Sequence, residues 1–212
     1  AVFLFITLFA VASEAGDRNI PVEVAQLTDS LKKQFAPDRR VALLDVDYSF
    51  SDKNVMLRGV TTSAEAKNAL LKELARKGYA VMDCLELLPD VKGLEGKTCG
   101  IINVSVANMR VAPDFSSEMM TQSLMGMPVR VLQRDGWVRI QTPDNYIAWV
   151  HRVGVHPVTE EEMAAWNKAE KIVVTAHYGF VYSEPNQTSQ TVSDVVAGNR
   201  LKWEGKSEAK RS

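Results

Sequence analysis

Apolar positions recur along this chain with two different periods, and the changes of period mark its units. Val22, Val24, Leu27, Leu31 and Phe35 follow helical spacing up to Pro37 and Asp38, which predicts a first helix. Over residues 41–50 the period falls to two, with Asp45, Asp47 and Ser49 alternating against apolar neighbours as in a half-buried strand. Ser51-Asp52-Lys53-Asn54 turns into a second strand over residues 55–60. Thr62-Ser63-Ala64-Glu65 reads as a capping box, the Thr62 hydroxyl and Glu65 carboxylate serving opposite ends of a first helical turn. The helix it opens presents Ala66, Ala69, Leu70 and Leu74 on one face and stops at Gly78, and residues 79–88 make a third strand ended by Pro89. Residues 21–98 therefore read as a small α+β unit of order αββαβ.

Residues 100–156 change character. Short β-rich segments follow one another, broken by Pro113-Asp114, Gly126, Asp135-Gly136 and Pro143-Asp144-Asn145, the spacing of a small β-barrel. A second capping box, Thr159 to Glu162, opens a linker helix carrying Trp166 within residues 157–171. The β-pattern then starts again. Ile172-Val173-Val174, Val181-Tyr182-Ser183-Glu184-Pro185 and Gly198-Asn199-Arg200-Leu201 repeat the opening of the 100–156 segment. No counterpart of Gly136-Trp137 or Tyr146-x-x-Trp149 follows. Repeats disclose architecture before local propensity does. Residues 172–212 are thus expected to be an incomplete second barrel, partly ordered, with unpaired strand edges.

Composition narrows the function classes. With 46% hydrophobic and 24% charged residues the chain is globular, and a net charge of −1 over 212 residues offers no basic footprint for nucleic acid. Residues 1–12 are almost wholly apolar, too short to span a bilayer, which needs about 20 such residues. Ala10-Val11-Ala12 supplies a small-x-small cleavage site, so this stretch is expected to be the remnant of an export signal and the protein to be periplasmic or envelope-associated, without a stable membrane span. In an oxidising compartment Cys84 and Cys99 are a candidate disulfide, worth about 3 kcal/mol for a loop of that size. Two separate buried thiols are the alternative. Neither Cys has a local His, an elbow-type turn or a metal-ligand spacing, and His151, His156 and His177 are scattered, so no catalytic residue, metal site or cofactor is expected. Two of the four Trp, Trp137 and Trp149, lie in the 100–156 segment, either as barrel core sealing one end or as a recognition surface. Tyr146, at the end of a turn, is the better exposed binding candidate.

Two resemblances follow from these residues. The αββαβ order, and above all the strand at 55–60 running into its capped helix, resembles the BON-type fold of bacterial envelope proteins. The segment from Ala107 to Pro113, then Gly126-Met127-Pro128-Val129-Arg130-Val131-Leu132, Gly136-Trp137-Val138-Arg139-Ile140 and Tyr146-x-x-Trp149-Val150, resembles the bacterial SH3-like domain. The whole arrangement is similar to the N-terminal part of NlpC-type cell-wall cysteine peptidases, the dipeptidyl-peptidase VI-like γ-D-glutamyl-diamino acid endopeptidases of Bacteroides-like bacteria. That resemblance implies tandem SH3-like domains preceding a papain-like domain, the first bordering the active site and helping to select muropeptides with a free N-terminal L-Ala. On this reading the chain is a catalytically silent, peptidoglycan-binding portion whose catalytic domain is missing, and its partners are muropeptides or that domain. The alternative is a complete exported SH3-like binding or scaffold protein with a protein partner.

Overall fold

The computed structural model describes residues 20–205. The export-signal stretch at 1–12 and the polar tail after Gly205 lie outside the described residues.

The first unit has the predicted order. Helix α1 (Val22–Phe35) leads to strands β1 (Leu44–Ser51) and β2 (Asn54–Thr61), helix α2 (Ala64–Arg76) and strand β3 (Ala80–Leu87). β2 lies in the middle, antiparallel to β1 and parallel to β3, with α2 as the crossover. The alternation on β1 does what its pattern implies: Val46, Tyr48 and Phe50 pack toward the helices, while Asp47 and Ser49 stay exposed. Val24 and Leu31 from α1, Leu70 and Leu74 from α2, and Val55, Leu57 and Leu85 from the sheet form one buried cluster. The capping residue differs from expectation. Ser63, not Thr62, caps α2 by accepting from the Ala66 amide at 3.0 Å, and its hydroxyl donates to the Glu65 carboxylate at 3.0 Å. Thr62 is needed elsewhere, because its hydroxyl accepts the Leu43 amide at 2.9 Å and so holds the chain entering β1. Tertiary demand decided between two neighbouring hydroxyls.

The second unit is a seven-stranded, wholly antiparallel sheet. Its strands are β4 (Cys99–Ile102), β5 (Val106–Arg110), β6 (Met119–Leu124), β7 (Pro128–Asp135), β8 (Trp137–Gln141), β9 (Ile147–His151) and β10 (Val155–Val158), in spatial order β10-β4-β7-β8-β9-β5-β6. Ile102, Met109, Val131, Val138, Ile140 and Val150 fill its interior. The two units share a small core of Leu43, Leu88, Leu132 and Ile147. Backbone bonds cross the same joint, from Ile147 N–H to the Arg40 carbonyl and from Asp90 N–H to the Leu132 carbonyl at 2.9 Å.

Helix α3 (Glu160–Lys168) carries the predicted capping box of Thr159 and Glu162. Beyond it β11 (Lys171–Val173) pairs with β14 (Arg200–Lys202), and β12 (Tyr178–Tyr182) with β13 (Thr191–Val196). These ribbons copy the first-repeat pairs β4·β7 and β5·β6. The register shift between Met109 and Arg110 recurs between Val181 and Tyr182. The loop bonds recur as well: Val111 to Glu118, Asp114 to Ala112 and Ser117 to Asp114 have counterparts in Ser183 to Gln190, Asn186 to Glu184 and Ser189 to Asn186. The repeat read in the sequence is therefore a repeat of backbone hydrogen bonds.

The two ribbons stay separate two-stranded sheets with unpaired edges, as expected of an incomplete barrel, yet they dock on the first repeat. Asn199 is fully buried, donating from Nδ2 to the Ser105 carbonyl at 2.9 Å and accepting the Val196 amide on Oδ1 at 3.0 Å. The Arg200 amide donates to the Met125 carbonyl at 2.9 Å, and Ser105 Oγ donates to Asp194 Oδ2 at 2.7 Å. Ile172, Val173, Tyr178, Phe180 and Val192 nonetheless remain exposed. Among the described residues no helix is long and apolar enough to cross a membrane.

Candidate functional site

The hairpin of β8 and β9 positions the candidate site residues by simple alternation. Val138 and Ile140 on β8, and Ala148 and Val150 on β9, point into the core, so Trp137, Arg139, Trp149 and His151 share the outer face. Neither Trp seals the interior. Both are half-buried on that outer face, and the barrel-core reading gives way to a surface one.

Trp149 stands opposite Arg139 in the register, and the Arg139 guanidinium lies over its ring, 5.2 Å from the centroid. Tyr146 follows the turn over Pro143-Asp144-Asn145, which Thr142 closes by accepting the Tyr146 amide on its hydroxyl at 3.0 Å. The first unit covers this end of the hairpin. Its 36–43 segment brings Arg40 over the Tyr146 ring at 5.8 Å and Arg39 onto Asp45 at 3.3 Å. Between the two units lies a cavity of about 370 Å³ lined by Arg39, Arg40 and Leu43 from one side, and by Met119, Met120, Arg139, Tyr146 and Trp149 from the other.

Its electrostatics are uneven. Asp38 binds Arg40 through both carboxylate oxygens, with Nη2 to Oδ2 at 2.7 Å and Nε to Oδ1 at 3.0 Å, and these bonds hold the Asp38 carboxyl down at about 2. Arg139 is different. Its side chain is 12% exposed, and desolvation pulls the guanidinium below its usual range while Asp45 partly opposes that. Glu118 is the one acidic side chain among the residues lining the cavity.

Trp137 belongs to a separate cluster. Its ring lies 4.9 Å from Phe115 and 5.3 Å from His151, beside a hollow of about 200 Å³ reaching Asn108 and Arg110. The structure thus brings Tyr146 and Trp149 together and leaves Trp137 at the other end of the hairpin. Sequence reasoning missed Arg39, Arg40 and Arg139. Only Arg139 had a usable signal, as the outward residue of Trp137-Val138-Arg139-Ile140.

Cys84 and Cys99 are free thiols. Cys84 lies exposed on β3 beside Arg58, and Cys99 half-buried on β4 beside Arg130, so they sit in two different sheets. Burial, with the Glu160 charge adding, pushes the Cys99 thiol up, the reverse of what a nucleophilic thiolate needs. A thiol-reactive disulfide reagent is expected to modify Cys84 of the native protein rapidly and Cys99 far more slowly, both becoming equally reactive after denaturation. Two unreactive sulfurs in denaturant without reductant would show a disulfide instead. Among the described residues no group of His, Cys, Asp and Glu could hold a metal ion.

No curated protein matches the chain. Among solved structures it is similar to an NlpC/P60 family protein from Bacillus cereus ATCC 10987, at 19% identity and a TM-score of 0.41 over 52% of this chain and 48% of that one. It is also similar to an NlpC/P60 endopeptidase from Photobacterium damselae subsp. piscicida, at 12% identity and a TM-score of 0.43 over 85% of this chain and 37% of that one. The chain spans less than half the length of either. Residues 109–153, from the core Met109 of β5 to the turn after β9, match the family described as the bacterial dipeptidyl-peptidase SH3 domain, so the unit whose β8–β9 hairpin and turn carry Trp137, Tyr146 and Trp149 holds an SH3-like domain.

Proposed function

We propose that this chain is the non-catalytic, wall-facing part of an exported γ-D-glutamyl-diamino acid endopeptidase of the NlpC type, and that its SH3-like domain binds peptidoglycan stem peptides. One observation carries the reading. The segment matched to the dipeptidyl-peptidase SH3 domain is the same segment that places Tyr146 and Trp149 in one cavity at the joint with the first unit. Aromatic rings on a rigid hairpin give large contact area at small entropic cost, which suits a short peptide ligand. On this reading the described residues bind rather than cleave, in keeping with a Cys99 thiol raised by burial and with His151 packed on Trp137 and Phe115.

The test is a calorimetric titration of the full chain with L-Ala-γ-D-Glu-diaminopimelate. Saturable binding is expected, weakened about tenfold by Tyr146→Ala if the ring acts as an anchor worth more than about 1 kcal/mol. Absence of saturable binding, or a Tyr146→Ala protein indistinguishable from the parent, removes the reading.

A further inference from the structure

The donors of Arg139 outnumber their acceptors. A guanidinium presents five N–H groups in a fixed fork. Among the described residues Nε of Arg139 is buried without any hydrogen-bond partner. The carboxylate nearest to it, Asp45, stands 3.8 Å from Nη2, beyond hydrogen-bond reach, and the same Oδ2 already accepts from Arg39 at 3.3 Å. One carboxylate oxygen therefore faces two guanidinium groups. A buried charge left short of partners is costly, and stacking on Trp149 does not supply the missing acceptors. Arg40, by contrast, is paired with Asp38 through Nε and Nη2.

The surroundings match this deficit. Of the charged side chains lining the cavity three are arginines and one is Glu118. Met119, Met120, Leu43 and Ile147 form apolar wall beside them, so a purely inorganic anion would leave that wall unused. The cavity has the size and composition for a carboxylate attached to a short hydrocarbon segment.

We propose that this cavity is a carboxylate-binding site built jointly by the two units, with Arg139 as the principal binding group, Arg39 closing the site from the other unit, and Met119 and Met120 packing against the hydrocarbon next to the carboxylate. The proposal deepens the wall-peptide reading by naming the group that is recognised, and it rests on that reading only for the peptide that bears the carboxylate. Because Nε is closed off, Arg139 acts through the terminal nitrogens of its planar fork, which pair a carboxylate end-on through two parallel hydrogen bonds. A lysine would supply the charge without the geometry.

The experiment follows the arginine Nε–Hε resonances of the full chain by NMR during three titrations: with L-Ala-γ-D-Glu-diaminopimelate, with the same tripeptide bearing amidated carboxylates, and with glutarate. The tripeptide and glutarate are expected to shift the Arg139 resonance saturably, and amidation to weaken binding at least about tenfold, the loss of one charge-assisted pair. Arg139→Lys should retain only part of the affinity and Arg139→Gln almost none. Should either variant fail to fold, Arg39→Gln, at a side chain 78% exposed, is expected to weaken glutarate binding about threefold with the melting temperature unchanged. Equal binding of the amidated and free tripeptides overturns the carboxylate site and leaves the wall-peptide reading standing. Arg139-dependent binding of glutarate with none of the tripeptide does the reverse. An Arg139 resonance unmoved by every probe overturns the site outright.

Discussion

Substituting Gly126 by alanine is expected to unseat the second repeat from the SH3-like domain and to cost at least about 2 kcal/mol. Gly126 has φ +82°, the left-handed region, where a side chain is strained whatever the space. Here there is also no space. A Cβ at this position would overlap the Arg200 carbonyl and the Arg200 side chain, which the second repeat lays across the turn. The Gly126 amide donates to the Ile102 carbonyl at 2.8 Å, and the neighbouring Met125 carbonyl accepts from Arg200, so the turn cannot retreat without losing bonds of the first repeat. The second repeat gives way instead. Hydrogen exchange should then lose protection across residues 194–203, where Asn199 and Arg200 hold the docking bonds, while residues 129–132 of β7 keep theirs. Wild-type protection over 194–203 in the alanine protein would show that the contact with Arg200 does not anchor the repeat.

What could be read from the sequence was local. The αββαβ unit follows from runs such as Val24, Leu27 and Leu31, or Asp45, Asp47 and Ser49, whose period alone fixes which face is buried. The repeat was legible too, because Pro113 and Gly126 reappear as Pro185 and Gly198, and the bonds of the intervening loops recur with them. The choice between Thr62 and Ser63 as helix cap failed, since it depended on Leu43, a residue distant in sequence. For the two Trp the sequence left core and surface both open. Alternation on β8 already opposed Trp137 and Arg139 to Val138 and Ile140, and the smaller branched residues fill the interior. The cavity was the least legible feature. Nothing in a one-dimensional pattern relates Arg39 to Arg139; their meeting depends on how two units pack, through Leu43 and Ile147. Docking of the second repeat was equally hidden, because its anchor, Asn199, looks like a turn residue and serves as a buried bridge to Ser105.

That dependence on the joint gives the second large effect. Leu43→Ala is expected to cost about 2–5 kcal/mol, the range for deleting a buried leucine where the surroundings relax only partly. Leu43 is 2% exposed among Leu88, Leu132 and Ile147, and its backbone is held independently: Thr62 Oγ1 accepts its amide at 2.9 Å and its carbonyl accepts from Thr61 Oγ1 at 2.8 Å. The substitution therefore removes packing at the joint without releasing the strand. Because Leu43 also lines the cavity, the loss should reach the site as well as the fold. Leu57→Ala is the matched comparison, since Leu57 is fully buried in the core of the first unit and does not line the cavity. Both variants should lose similar stability in urea. Binding of L-Ala-γ-D-Glu-diaminopimelate, measured where each protein is still folded, should weaken for Leu43→Ala and stay near wild type for Leu57→Ala. Equal affinity in the two variants would mean that the joint only holds the units together and does not shape the site between them.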